Sequence, residues 1–190
     1  MTAAVALLDA NVLYPAPLRD LLLQLSFTGL YQARWTAQIT AEWKRHLLAN
    51  RPDLADRLDR TLAVMLRAIP DALVTGYAPL IPGLSLPDPN DRHVLAAAIA
   101  ARADTIVTFN VKDFPAAALA GHGIEALHPD TFLMGLAETT PHHILAAVRE
   151  CLVRLTRPAI SATAYRNAMR QLGLTEIAAF LDSKRADWEF

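Results

Sequence analysis

One stretch of the sequence decides the fold: Asp88-Pro-Asn-Asp91-Arg-His-Val-Leu-Ala-Ala-Ala-Ile-Ala, which continues shortly afterwards as Asp104-Thr-Ile-Val-Thr108-Phe-Asn110-Val-Lys-Asp113-Phe114. Asp88 followed by proline is typical of a helix N-cap and places Asp91 in the first helical turn. The β-branched and aromatic run 105–109 predicts a strand buried on both faces of a parallel sheet. Carboxylates therefore stand at the helix start and beyond the strand end, near the edge where open α/β sheets bind ligands.

Outward from this stretch, short apolar runs alternate with helical patterns. The alternation predicts an α/β fold, with a central parallel sheet between two layers of helices. Helices are expected over 18–28, 36–48 and 52–69, and a proline-rich passage over 79–89 precludes a regular helix. Strands are expected at residues 3–8, 30–35, 72–77, 105–109 and 124–127.

The alternation stops after His128, and the remaining pattern is helical only. Helices are expected over 129–138, 140–155 and 161–172, and Thr175 is expected to cap a last one ending near Lys184. A boundary near residue 130 is therefore predicted, with an α/β domain at 1–130 and an all-helical extension at 131–190.

Composition bounds the class of protein. The 190 residues are 53% hydrophobic, and no apolar run approaches the length of a membrane span. A net charge of −1 disfavours a protein that mainly wraps duplex nucleic acid. The single cysteine, Cys151, excludes an intrachain disulfide and a cysteine zinc cage, which favours a cytoplasmic location.

Four acids carry the proposed chemistry. Asp9 and Asp113 follow strands, Glu42 lies in a helix after a strand, and Asp91 opens a helix. Parallel strands with right-handed crossovers can bring these acids to one edge of the sheet. Carboxylates in such a cluster need a counter-charge, and oxygen-only ligands favour Mg²⁺ or Mn²⁺. The pattern indicates metal-assisted chemistry on a phosphodiester.

Simpler interpretations exist for each residue alone. Asp91 could be a first-turn carboxylate held by the helix dipole, and Asp113 could be a turn residue bonded to its own backbone. His93 could touch a metal or a phosphate, but a lone helical histidine is more often a surface or capping residue, so we leave it out of the expected site.

The motifs together resemble a PIN-domain nuclease, and in particular the VapC-type ribonuclease toxins of bacterial toxin-antitoxin pairs. They are Leu7-Leu-Asp9-Ala-Asn11, Glu42, the stretch from Leu86 to Ala98, and Val107 to Phe114. The resemblance implies that Asp9, Glu42 and Asp91 are core acids, that Asn11 is the small polar residue beside the first, and that Thr108 is the hydroxyl after the strand. It further implies Mg²⁺- or Mn²⁺-dependent RNA cleavage, a homodimer and a small cognate antitoxin.

One position departs from the family pattern. Many members carry an acid directly after the strand, where this chain has Asn110 and only later Asp113. The expected catalytic and metal set is therefore Asp9, Glu42, Asp91 and Asp113. Substrate or water positioning is expected from Asn11, Thr108, Asn110 and, by adjacency to Asp91, Arg92.

Other classes are kept as alternatives. A non-catalytic signalling receiver also has an acidic pocket, but it needs an acidic pair early in the chain and a lysine at a strand end. An aspartate-nucleophile phosphatase needs a second acid where Asn11 stands. A PIN-fold RNA-processing nuclease outside a toxin-antitoxin system is not separable from a toxin on sequence alone.

Two surfaces are expected to contact partners. The leucine-rich stripes within 18–25 and 54–69 predict docking of the antitoxin. The arginines of the extension, weighed against a merely solvated helix face, are expected to contact RNA or the antitoxin: Arg149, Arg154, Arg157, Arg166 and Arg170.

Overall fold

A four-stranded parallel sheet forms the centre of the computed structural model, which describes residues 3–155 and 159–188. The spatial order is β2-β1-β3-β4, so the first strand of the chain is an inner strand. The expected three-layer α/β fold with a helical extension is confirmed. The strands are β1 (Val5–Leu8), β2 (Gln32–Arg34), β3 (Thr105–Val107) and β4 (Glu125–Leu127).

Helices flank the sheet and continue beyond it. Those of the α/β part are α1 (Ala10–Leu13), α2 (Ala16–Phe27), α3 (Ala37–Asn50), α4 (Ala55–Ala68), α5 (Arg92–Ala100) and α6 (Ala116–Leu119). Those of the extension are α7 (Pro129–Thr139), α8 (Pro141–Arg154), α9 (Ala162–Gln171), α10 (Thr175–Ser183) and α11 (Arg185–Trp188). Among the described residues, no helix is both long enough and apolar enough to cross a bilayer.

The register of the two inner strands positions the site. Ala6 pairs with Thr105 and Leu8 with Val107, and the backbone N–H of Asp9 donates to Val107 O over 3.1 Å. The next residue of each strand, Asp9 or Thr108, therefore emerges at the same edge of the sheet, although 99 residues separate them in sequence.

The expected strand at 72–77 is wrong. Among the described residues, this segment pairs with the sheet through one isolated bridge, between Trp35 and Leu73, with backbone hydrogen bonds of 2.9 Å from Trp35 N to Ala72 O and 2.8 Å from Val74 N to Trp35 O. Gly76 has φ +74°, a left-handed conformation that turns the chain away from the sheet. The following prolines form a 3-10 helix at Ala78–Gly83, so the ladder cannot continue.

The expected cap at Asp88 is confirmed, with a later start of the helix. Asp88 Oδ1 accepts a 2.8 Å hydrogen bond from Asn90 N and opens a 3-10 turn, Pro89–Asp91. The α-helix begins at Arg92, so Asp91 stands in the turn that leads into it.

The extension packs on the α/β part and shares its hydrophobic core. Phe132 of α7 meets Tyr31 edge to face, with ring centroids 5.1 Å apart, and α8 packs along α2. The four leucines of the predicted stripe on α2 are fully buried, so the expectation that this stripe docks a partner is wrong: Leu18, Leu21, Leu22 and Leu25. The division at residue 130 stays a prediction, although one core cluster spans both sides of it.

Asp130 at the start of α7 caps α10. Its carboxylate accepts hydrogen bonds of 2.9 Å from the backbone nitrogens of Glu176 and Ile177. The expected Thr175 cap is therefore wrong, because Thr175 is the first residue of α10 and the capping carboxylate comes from another helix.

Two arginines of the extension pair with Asp182, and one of them is buried in the fold. Arg166 is 3% exposed, pairs with Asp182 over 2.7 Å and lies over the Trp188 ring. Arg170 also pairs with Asp182, but its side chain is 41% exposed. The expectation of RNA or antitoxin contacts is therefore wrong for Arg166 and remains a prediction for Arg170. Arg154 forms an exposed 3.8 Å pair with Glu150, the expectation for Arg149 remains a prediction, and Arg157 lies outside the described residues.

Candidate active site

An open cavity of about 780 Å³ lies at the carboxyl ends of β1 and β3. It brings together five of the predicted residues: Asp9, Asn11, Glu42, Asp91 and Asn110. The first two come from the start of α1, Glu42 from α3, Asp91 from the turn before α5 and Asn110 from the loop after β3. The other lining residues are Ala10, Tyr14, Arg45, His46, Asn50, Asn90 and His93.

Asp9 is the most constrained of the acids. Asp9 is 8% exposed, and its Oδ1 accepts a 2.6 Å hydrogen bond from Ala10 N, as a helix N-cap does. Oδ2 accepts hydrogen bonds of 2.7 Å from both Asn11 Nδ2 and Thr108 Oγ1. Three donors therefore fix the carboxylate in one orientation.

Thr108 connects the two strand ends from beneath the cavity. Its buried hydroxyl donates its proton to Asp9, so its lone pairs accept from Asn11 Nδ2 (2.9 Å) and from Asn110 N (3.0 Å). Asn11 Oδ1 accepts a 3.1 Å hydrogen bond from Phe109 N. Thr108 therefore contacts the acid and the loop, and it does not line the cavity.

Two acids have raised pKa values. Burial is the main cause of the raised pKa of Asp9, which the negative charge of Glu42 raises further. Burial, followed by the charges of Asp9, Asp88 and Asp113, raises the pKa of Asp91 to about 6. The carboxylates thus repel one another across the cavity, and this repulsion favours binding of a cation.

Glu42 differs from the other two acids. Burial alone would raise its pKa, but the hydrogen bond and charge of His93 and the hydrogen bond of Gln38 bring it below its ordinary value. His93 Nε2 lies 3.1 Å from Glu42 Oε1. Glu42 therefore loses its proton at a lower pH than Asp9 and Asp91, the other two acids of the cavity.

The donor set fits a hard divalent cation. Asp9, Glu42, Asp91 and Asn110 line the cavity, and hard cations prefer the carboxylate and amide oxygens that such side chains carry. As they stand, no three acidic, histidine or cysteine side chains of the described residues are close enough to hold an ion. Glu42 and Asp91 are only partly buried, so their side chains can rotate toward a cation.

Besides Thr108, two more predicted residues lie outside the cavity wall. Asp113 ends the 3-10 turn Val111–Asp113, where its charge raises the pKa of Asp91 without lining the cavity. Arg92 Nε donates a 2.9 Å hydrogen bond to Pro89 O and thereby closes the turn before α5.

Sequence reasoning left out several residues of the cavity. The His93 side chain is 7% exposed, so it is neither a surface nor a capping residue. Arg45, His46 and Asn50 lie three, four and eight positions after Glu42 and share its helix face, a spacing that could have been read from the sequence. Nothing in the local pattern indicated Tyr14.

Comparison with known proteins agrees with this geometry. Residues 5–112 match the PIN domain, and residues 129–183 match the VapC50 C-terminal domain. The "Putative ribonuclease VapC50" of Mycobacterium tuberculosis (strain ATCC 25618 / H37Rv) is 44% identical over 82 residues, which are 41% of this chain and 48% of that relative. The chain thus spans about half the length of the curated relative it matches, and no solved structure matches it.

The PIN domain match covers more than half of the chain and contains Asp9, Glu42 and Asp91. The resemblance inferred from the motifs is therefore confirmed. The chain belongs to the PIN domain family and carries a VapC50-type C-terminal domain.

Proposed function

We propose that the protein is a metal-dependent endoribonuclease that acts as the toxin of a toxin-antitoxin pair. One observation carries the proposal: three acids from distant segments, Asp9, Glu42 and Asp91, line a single cavity at the carboxyl edge of the sheet. The similarity to the "Putative ribonuclease VapC50" supports RNA cleavage, and the match of the extension to the VapC50 C-terminal domain favours a toxin over an RNA-processing enzyme.

The reaction is hydrolysis of an RNA phosphodiester. Asp9, Glu42 and Asp91 would hold Mg²⁺ or Mn²⁺, which when bound supplies positive charge for the phosphate and acidifies water. Asn11 and Thr108 orient the Asp9 carboxylate, and Asn110 offers an amide at the cavity wall. Because the cavity is open and two of its acids are partly exposed, an RNA chain can reach them, as an endonuclease requires.

The side of the cavity formed by α3 and Tyr14 is suited to binding the RNA strand. Arg45, His46 and Asn50 project from α3, and Tyr14 lies beside them, with its hydroxyl oxygen 3.5 Å from Asn50 Nδ2. An arginine can pair with a backbone phosphate, while a tyrosine ring can stack on a base. We propose that this wall holds the nucleotide next to the cleaved bond.

The test is cleavage of RNA with and without divalent cation. Asp9→Asn and Asp91→Asn should each abolish cleavage by the purified protein while circular dichroism and the melting temperature show a folded chain. Asp56→Asn, at an exposed position on α4, is the matched control and should keep full activity. Undiminished cleavage in EDTA, or by either site variant, would contradict the proposal.

The antitoxin needs a surface, and a groove of about 520 Å³ offers one. It is lined by residues of α2, α4 and the end of α8, including Phe27 and Val64, which are 60% and 54% exposed. Arg57, Arg60 and Arg154 also line it, against the single acid Asp20. We propose that an acidic amphipathic helix of the antitoxin binds here.

Neutralisation in cells tests this surface. The double substitution Arg57→Glu and Arg60→Glu should leave the protein toxic but prevent rescue by the protein encoded next to it. Arg67→Glu, on the same helix but outside the groove, should leave rescue intact. Rescue of the double variant would exclude this groove, and harmless expression of the wild type would favour an RNA-processing role. That the protein forms a homodimer remains a prediction, which light scattering would test.

A further inference from the structure

His93 is the buried polar contact between α5 and α3 at the base of the proposed site. Its Nε2 lies 3.1 Å from Glu42 Oε1, and its side chain is 7% exposed. Asp91 lies two residues earlier, in the turn that leads into α5. One imidazole therefore connects the elements that supply two of the three acids.

We infer that His93 is a positioning residue, which orients the Glu42 carboxylate toward a divalent cation through the hydrogen bond from Nε2. The inference rests on the proposed function, because it concerns the same cavity. It assigns to this chain a fourth side chain on which metal binding depends.

The hydrogen bonds to Glu42 are asymmetric. Oε1 accepts from His93 Nε2 and, over 3.3 Å, from Gln38 Nε2. Within the described parts of the chain, both contacts end on this one oxygen, so Oε2 keeps its lone pairs for another ligand. A carboxylate held by one oxygen presents the other in a defined direction. Side chains that hydrogen-bond to a metal ligand without touching the metal orient the ligand in this way.

A purely structural role does not explain the ring. His93 Nδ1 is buried and has no hydrogen-bond partner in the described part of the chain. An unsatisfied buried nitrogen destabilises the folded state, so an apolar ring would serve packing at least as well. The contact to Glu42 is what the imidazole supplies and an apolar side chain would not.

The test compares His93→Phe, which keeps a ring and removes the donor, with His93→Gln, which keeps an N–H. Mn²⁺ binding to the full-length protein is measured by isothermal titration calorimetry, alongside the melting temperature. We expect His93→Phe to weaken Mn²⁺ binding about 10-fold or more without lowering the melting temperature. His93→Gln should recover part of the affinity, and His122→Gln, at an exposed histidine, should match the wild type.

A double-mutant cycle with Glu42→Gln decides whether His93 acts through Glu42. The loss caused by His93→Phe should disappear when Glu42 is already changed. Equal losses in both backgrounds, or a lower melting temperature with unchanged Mn²⁺ affinity, would overturn the inference. Wild-type protein that binds Mn²⁺ but cleaves no RNA would refute only the proposed function. Wild-type protein that binds no Mn²⁺ would refute both.

Discussion

Asp130 Oδ1 lies 2.9 Å from the backbone nitrogen of Ile177, so an acid at the start of α7 caps a helix that begins some 45 residues later. The other oxygen accepts from Glu176 N, and the residue is 6% exposed. A carboxylate at a helix N-terminus satisfies free N–H groups and interacts favourably with the helix dipole. The contact therefore joins the two ends of the extension.

The first prediction concerns this cap. Asp130→Ala should lower the free energy of unfolding by about 1–3 kcal/mol, because one buried and one partly buried N–H group lose their acceptor. Urea denaturation followed by circular dichroism measures the change. Asp56→Ala, at an exposed acid of α4, should change the free energy of unfolding by less than about 0.5 kcal/mol. Equal stability of the two variants would show that the cap contributes little.

The second prediction concerns the hydroxyl beneath Asp9. Thr108→Val should reduce kcat by roughly 10-fold or more, because Asp9 loses one of its three donors and Asn11 loses an acceptor. Thr108→Ser should retain most of the activity. Thr105→Val, at the buried start of the same strand, is the control for packing. If both valine variants lose equal activity, the hydroxyl is not the cause.

The third prediction is a pH dependence in the absence of divalent cation. The pKa of Asp91 is about 6 in the folded chain and about 3.8 ordinarily, so the folded state binds this proton more tightly. The resulting stabilisation is complete below about pH 4 and is lost as the pH rises to about 6. Burial also raises the pKa of Asp9, which acts in the same direction.

Urea denaturation between about pH 4 and 7 measures this loss. It should be on the order of 1 kcal/mol, because solvent screens the partly exposed Asp91. Asp91→Asn should flatten the curve, and Mn²⁺ should restore stability above about pH 6. A wild-type free energy of unfolding that falls no more steeply with pH than that of Asp91→Asn would contradict the sign.

The fourth prediction separates Asn110 from Asp113. Asp113→Asn should reduce activity at low Mg²⁺ and recover in part at high Mn²⁺, because Asp113 adds negative charge beside Asp91. Asn110→Ala should cost less, because its contact to Thr108 uses the backbone N–H, which alanine retains. Steady-state kinetics over a metal titration compare the two. A larger loss for Asn110→Ala would assign the fourth position to the amide.

Asp9 and Asp91 could be predicted because each stands at a recognisable end of a strand or helix. Asp9 ends an apolar run, and Asp91 follows the Asp88-Pro cap, so topology alone brings them to one edge. The failed strand at 72–77 had suitable side chains, but the conformation of Gly76 and the prolines after it prevent pairing. Local propensity was overridden by backbone geometry.

The element that covers the apolar face of an amphipathic helix could not be predicted in the same way. Spacing showed that the leucines of α2 form one apolar face, but spacing does not say whether another chain or a later helix covers it. Here α8 covers it. The pairing of His93 with Glu42 was hidden for a related reason, because it depends on the packing of two helices about 50 residues apart in sequence.

The bond between Thr108 and Asp9 also has a consequence for synthesis of the protein. Asp9, the first acid of the proposed site, is synthesised early, whereas Thr108, whose hydroxyl orients it, follows 99 residues later. Glu42 and Asp91 emerge between them. A growing chain therefore carries its acids without the strand that arranges them, so we expect the proposed ribonuclease to be inactive next to the translating ribosome until most of its sequence has emerged.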